Sequence, residues 1–338
     1  MEKNNTVRLV QLKNASQRCV ALVKEPSLYI IDNFDSVYAM ALAAIDGSKG
    51  IKQLIEANVS DKTLNYDEIY EGKSDWKLLP SFDHPTNVSE LVISGTGLTH
   101  KSSAANRQAM HETGDNKPTD SMIVYWWGVD GGIADGDKPG IQPEWFYKGN
   151  GSALKGHGDE LEVPAYGNDG GEEPEIAGVY IIDREGNPYR VGFTTGNEFS
   201  DHVMEKKNYL YLAPSKLRQN AIGPELVITN DFSDLTGYVN VNRKGEILWE
   251  AENIKTGEAA MAHNLANLEY HQFKYDGHRV PLQAHVHYFG TGQFSFGKGI
   301  KLEHGDEMLV QWEGMGRALK NYVKIVSEEE KLVPVRTI

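Results

Sequence analysis

A chain of 338 residues carries 40% hydrophobic and 24% charged residues and a formal net charge of -14. That composition excludes wholesale disorder, and the length admits two unequal domains more readily than one core. The acidic balance, with no clustered Lys/Arg stripe, argues against a nucleic-acid partner, and no stretch approaches the roughly eighteen apolar residues of a membrane-crossing helix.

Cys19 is the single cysteine, which excludes an intrachain disulfide, a thiolate zinc site and a Cys-x-x-Cys pair. The first residues lack the long apolar run of a secretory signal, so a reducing, cytoplasmic setting is expected.

In chain order, Val7 to Leu12 and Arg18 to Ile31 read as short strands. Ser36 to Ile45 follows as an Ala-rich helix with Asp35 or Ser36 as N-cap, and Gly50 to Ala57 as a second helical piece. Polar sequence from Asn58 to Ser89 reads as a connection, which places a boundary near residue 85 between a small α/β unit (1–85) and a larger one (86–338). Beyond it strand patterns dominate: Leu91 to Ser94, Ser121 to Trp127, Ile176 to Asp183, Tyr189 to Thr194 and Met308 to Trp312. Arg184 to Asn187 and Arg243 to Gly245 are expected hairpin turns. Met261, Leu265 and Leu268 mark one amphipathic helix over about Glu258 to His271, and Trp126-Trp127 is expected in the core. The fold class is α+β, mostly β.

Glu173-Pro174-Glu175 enters the apolar run Ile176 to Ile182, and in extended backbone residues two apart face the same side. Glu198 follows the next strand. Three carboxylates converging within about 4 Å would repel by roughly 4 kcal/mol per pair at an effective dielectric near 20, so they would protonate or hold a cation. Hard oxygen ligands favour Mg²⁺, with Mn²⁺ or Ca²⁺ as alternatives. A solvated acidic turn is the competing interpretation of the same residues. His285 and His287 would share a strand face but lack an evident third ligand, and are expected to be structural.

The order of segments over about residues 91–326 resembles the catalytic domain of the fumarylacetoacetate hydrolase superfamily. Ile93 to His100 is similar to that family's opening strand and turn, which lead into a lid. Glu144 to Lys148 with Gly151 to Leu154, Glu173-Pro174-Glu175, Asn197 to Ser200, Lys216 ahead of Gly223 to Leu226, Gly290-Thr291-Gly292, Leu302 to Asp306 and Glu313 to Gly316 follow in the family's order. Two departures stand out: Glu198 where an Asp is usual, and His202-Val203 where many hydrolase members carry Arg-Asp.

The resemblance implies a mixed β-roll catalytic domain, with a small α/β N-terminal domain before it, and a homodimer. It implies a metal held by Glu173, Glu175 and Glu198. It also implies an active-site lysine at Lys216, with its pKa lowered beside a metal, for which a surface lysine is the alternative. His100 is a second candidate for proton transfer, or a structural turn histidine. His111 and Glu112 are candidates to close over substrate, Thr291 to hold a substrate carboxylate and Lys148 to supply positive charge, each against an ordinary surface or turn role.

The whole chain, including Asn33 to Ala39, Asn197 to His202 and Asn208 to Ala213, looks most like a subgroup of sugar-acid dehydratases that convert 2-keto-3-deoxypentonates to 2-oxoglutarate semialdehyde, which implies pentose oxidation. C-C hydrolysis of a 2,4-dioxo acid is the main alternative, decarboxylation of an oxaloacetate-like acid a third, and a non-catalytic 2-oxo acid binding protein a reading from another class.

Overall fold

The computed structural model describes residues 6–111 and 118–338. Its larger sheet has twelve strands. Ten of them form one path: Val59–Asn65, Ser27–Ile31, Arg18–Lys24, Val7–Lys13, Asn220–Ile228, Pro188–Asn197, Pro174–Ile182, Ala284–Tyr288, Leu91–Gly97 and Glu144–Asn150. A second sheet runs Glu246–Thr256, Leu235–Arg243, Glu307–Trp312, Leu319–Ile325 and Glu160–Val163. The mixed, mostly β architecture expected from the sequence is what folds.

The strand Pro174–Ile182 shows why an unbroken apolar run is needed at the centre. All of it is buried. Ala177, Val179 and Ile181 enter a core shared with Leu9, Val20 and Val37, while Ile176, Tyr180 and Ile182 enter the core between the two sheets with Val239, Val310 and Trp312. A strand covered on both faces has no side for polar residues. The larger sheet continues across residue 85, since Val7–Lys13 runs antiparallel to Asn220–Ile228 with Leu9 opposite Leu226.

Several local expectations are corrected. Ser121 to Trp127 lies in the helix Asp120–Gly131, not a strand: the Thr119 side chain caps Met122 N–H, which outweighs the β-branched and aromatic run. Trp126 and Trp127 are 47% and 54% exposed rather than core. The connection after Asn58 contains an edge strand, Val59–Asn65, whose polar face hid it from an apolar-period test, and a short helix, Tyr66–Tyr70. The expected helix at Glu258 to His271 is split, because Asn264 caps a new start at Leu265–Phe273. Met261, Leu265 and Leu268 nonetheless share one core. The two hairpins form as expected, as do the helices Val37–Asp46, capped by Ser36, and Ile51–Asn58.

Candidate active site

Glu175 has the same strand parity as Ala177 and Val179, one step before the core-facing run, and Glu173 repeats it at the strand entry. Glu198 follows the neighbouring antiparallel strand, and its N–H donates to the Glu173 carbonyl at 2.9 Å. One carboxylate oxygen from each of Glu173, Glu175 and Glu198 lies within 4.8 Å of the others, and all three residues are buried. A solvated acidic turn is thereby ruled out.

Two lysines reach the same point from other elements. Lys216, at the end of the helix Leu212–Lys216, places Nζ 2.8 Å from both oxygens of Glu173 and 3.3 Å from Glu198 Oε1, over the Phe146 ring. Lys148, on the strand Glu144–Asn150, sits 3.0 Å from Glu198 Oε1 and donates to the Phe199 carbonyl at 2.6 Å. Lys148 and Lys216 are 1% and 2% exposed, so neither is a surface lysine.

The electrostatics follow from this packing. Burial works against the Glu173 anion, but Lys216 and His202 outweigh it and hold its carboxyl well below the usual range. Burial, reinforced by the charges of Glu198 and Glu173, pushes Glu175 well above it. Glu198 is raised by burial and Glu173 against the pull of both lysines. Lys148 is lowered, chiefly by burial. For Lys216 burial disfavours the cation, yet without a bound cation Glu173 and Glu198 outweigh it and raise its pKa.

The donor set fits a hard divalent cation. Glu175 Oε2 accepts from the Gly290 N–H at 2.7 Å, but its Oε1 is buried without a hydrogen-bond partner. A buried, unpaired carboxylate oxygen facing two more carboxylates is what an oxygen-preferring ion satisfies.

The other expected residues divide. Thr291 is buried in the turn after the strand Ala284–Tyr288, next to Gly290, with its hydroxyl donating to the Gln293 carbonyl at 2.8 Å. Gly290 has φ +97, and a Cβ there would stand 2.1 Å from Thr99 Oγ1, so this turn requires glycine. His100 lies one link away. Its ring nitrogens are 2.9 Å from Thr99 Oγ1 and 3.1 Å from Thr256 Oγ1, and Thr99 donates to the Phe289 carbonyl at 2.8 Å. Burial lowers the His100 pKa to about 4. Both of its nitrogens are engaged by threonine hydroxyls. His111 closes the helix Lys101–His111, with its side chain outside the described residues, and Glu112 also lies outside them.

Sequence reasoning passed over two neighbours. His202 Nε2 is 2.9 Å from Glu173 Oε1, and only its departure from the family's Arg could have marked it. Arg107, buried on the helix Lys101–His111, bonds Glu144 at 2.7 Å and Glu205 at 2.6 Å, which anchors that helix beside the site. His285 and His287 are buried and structural, the latter between Ser94 and Thr96 hydroxyls.

No family model matches the chain. Among curated proteins it aligns with a probable 2-keto-3-deoxyxylonate dehydratase of Haloferax volcanii, 32% identical over 114 residues. That stretch covers 32% of this chain and only 38% of the relative's length. A solved 2-keto-3-deoxy-D-arabinonate dehydratase, complexed with magnesium and 2,5-dioxopentanoate, superposes with a TM-score of 0.69 at 17% identity, over 95% of this chain and 100% of that one. A 2-hydroxyhepta-2,4-diene-1,7-dioate isomerase from Mycobacterium marinum gives 0.58 at 15% identity, over the same shares. The chain therefore has the fold expected from the superfamily resemblance.

Proposed function

We propose that this chain, which shares its fold with a sugar-acid dehydratase, is itself a Mg²⁺-dependent hydro-lyase converting a 2-keto-3-deoxypentonate to 2-oxoglutarate semialdehyde. The observation that carries the proposal is the buried meeting of Glu173, Glu175 and Glu198 with Lys148 and Lys216, in which Glu175 Oε1 has no partner. Mn²⁺ or Ca²⁺ would suit the same oxygen set.

Charge supports the substrate class. Three carboxylates against two ammonium groups leave one negative charge, and a divalent cation turns this into one positive charge. A monoanionic 2-oxo acid neutralises it. Local charge thus overcomes the unfavourable overall balance of -14.

When bound, the cation would be held by the three glutamates and would act as a Lewis acid on a 2-oxo acid. The chain supplies the rest. Lys216 would pass a proton to a departing hydroxyl, and Lys148 would favour the Glu198 anion and hold it in place. Thr291 is proposed to bind the substrate carboxylate by exchanging its hydroxyl bond to the Gln293 carbonyl for one to the substrate. The proton lost from C3 replaces the one Lys216 gives to the C4 hydroxyl, so that one water leaves, and tautomerisation through C5 gives the aldehyde, which is 2,5-dioxopentanoate.

We further propose that the protein works in the cytoplasm, in pentose oxidation, as a homodimer, with residues 1–85 and 86–338 as its two units. Among the described residues no helix is long and apolar enough to cross a membrane.

The test is to incubate purified protein and Mg²⁺ with D- and L-2-keto-3-deoxypentonates and to couple any semialdehyde to its dehydrogenase. Semialdehyde from one isomer supports the proposal. Pyruvate and an acid released from an acylpyruvate, with no dehydration of either pentonate, would replace it with C-C hydrolysis.

A further inference from the structure

His202 is not one of the three carboxylates, yet it is built into them. It begins the helix His202–Lys207, whose N-cap Asp201 accepts from Met204 N–H at 2.8 Å and is itself tied to Arg218 at 2.8 Å. Its ring lies between Phe294 and Phe296, with both centroids 5.0 Å away and interplanar angles of 8° and 20°. Ser295, between those two phenylalanines, is pinned from the other side: Glu172 accepts from its N–H at 2.6 Å and its hydroxyl at 2.7 Å. Adjacent glutamates therefore divide the work. Glu172 fixes the aromatic loop, and Glu173 enters the cluster.

The ring's two nitrogens define what it does. Nε2 is 2.9 Å from Glu173 Oε1, and a carboxylate can only accept, so Nε2 carries the hydrogen. Nδ1 is buried without a partner and faces Gly171, where a Cβ would stand 2.5 Å away. That nitrogen looks into backbone, away from the carboxylates, so the histidine is not arranged to take a proton from substrate or water.

We infer that His202 is a positioning residue, which fixes the plane of the Glu173 carboxylate toward Glu175 and Glu198 through one hydrogen bond from a ring locked by Phe294 and Phe296. Lys216 grips both oxygens of the same carboxylate but is a flexible chain, whereas the histidine is rigid and doubly stacked. Groups of this kind tune ligand orientation, and their loss typically weakens metal binding by about 10- to 100-fold. The inference rests on the metal-dependent function proposed above.

Equilibrium Mn²⁺ binding to the full chain, by calorimetry and by the spin resonance of free Mn²⁺, tests it without reference to turnover. His202→Phe keeps the stack and removes the donor, and His202→Gln restores a donor at similar reach. The expected result is about a 10- to 100-fold loss for His202→Phe, with only partial recovery for His202→Gln, which restores the donor without the stacked ring. Gly171→Ala, which leaves every functional side chain intact but pushes the ring from its seat, is expected to lose affinity like His202→Phe. Wild-type affinity in a folded His202→Phe, or in Gly171→Ala should His202→Phe not fold, overturns the positioning role while leaving the metal site standing. Absence of Mn²⁺ and Mg²⁺ binding in the wild type overturns the metal site and the positioning role together.

Discussion

Glu175 accepts the Gly290 N–H at 2.7 Å through Oε2 and leaves Oε1 buried and unpaired. The first atom is served by the fold, and the second has no hydrogen-bond partner within it.

Replacing Glu175 with Gln should therefore stabilise the protein in EDTA. The amide oxygen can keep the Gly290 bond, while the repulsion from Glu173 and Glu198 disappears. A gain on the order of 1 kcal/mol would raise the melting temperature by about 1–2 °C in a chain of 338 residues. Thermal scans in EDTA and in Mg²⁺ should show that rise together with loss of the Mg²⁺-induced shift. A lower melting temperature in EDTA would contradict the strained carboxylate.

Lys148→Met should be costly in a way that surface pairs are not. It removes the nearer of the two ammonium groups at Glu198, where Lys216 remains at 3.3 Å, and leaves the Phe199 carbonyl without its buried donor, a change of about 1–3 kcal/mol. Arg184→Ala removes the exposed pair with Asp46 and should change stability by less than about 1 kcal/mol. Urea unfolding of the two variants provides the comparison.

Stability should fall early on acidification. Burial lowers His100, His157 and His263 to about 4 and His285 and His287 to about 3, against about 6.5 in an unfolded chain. Between those values the unfolded state binds more protons, so this contribution is complete above pH 6.5 and is lost as pH drops toward 4. Melting temperatures from pH 7.5 to 5 should decline, and His287→Asn should decline less steeply. A flat profile down to pH 5 would show that these imidazoles are not buried neutral.

Trp126→Ser and Trp127→Ser should each change monomer stability by about 0.5 kcal/mol or less, because both rings are half exposed on the helix Asp120–Gly131. Core tryptophans would lose about 3–5 kcal/mol on truncation. Urea unfolding distinguishes the two cases.

The parity of Glu173 and Glu175 was legible because strand geometry is local. Lys216 was legible because its segment matched a family order. The depth of Lys148 was not, since a lysine's burial depends on residues some fifty positions away, here Glu198, Phe199 and Ser200. For the same reason the ion pairs of Lys216 with Glu173 and Glu198 were not legible, since composition is silent about which carboxylate a lysine touches. The edge strand Val59–Asn65 escaped because its alternation has little apolar content on either face.

One titration addresses the central claim most directly. Calorimetry of the purified chain with Mg²⁺ should show one ion per chain, with binding lost in Glu175→Gln. Equal Mg²⁺ binding by the wild type and Glu175→Gln would place the ion elsewhere and contradict the account.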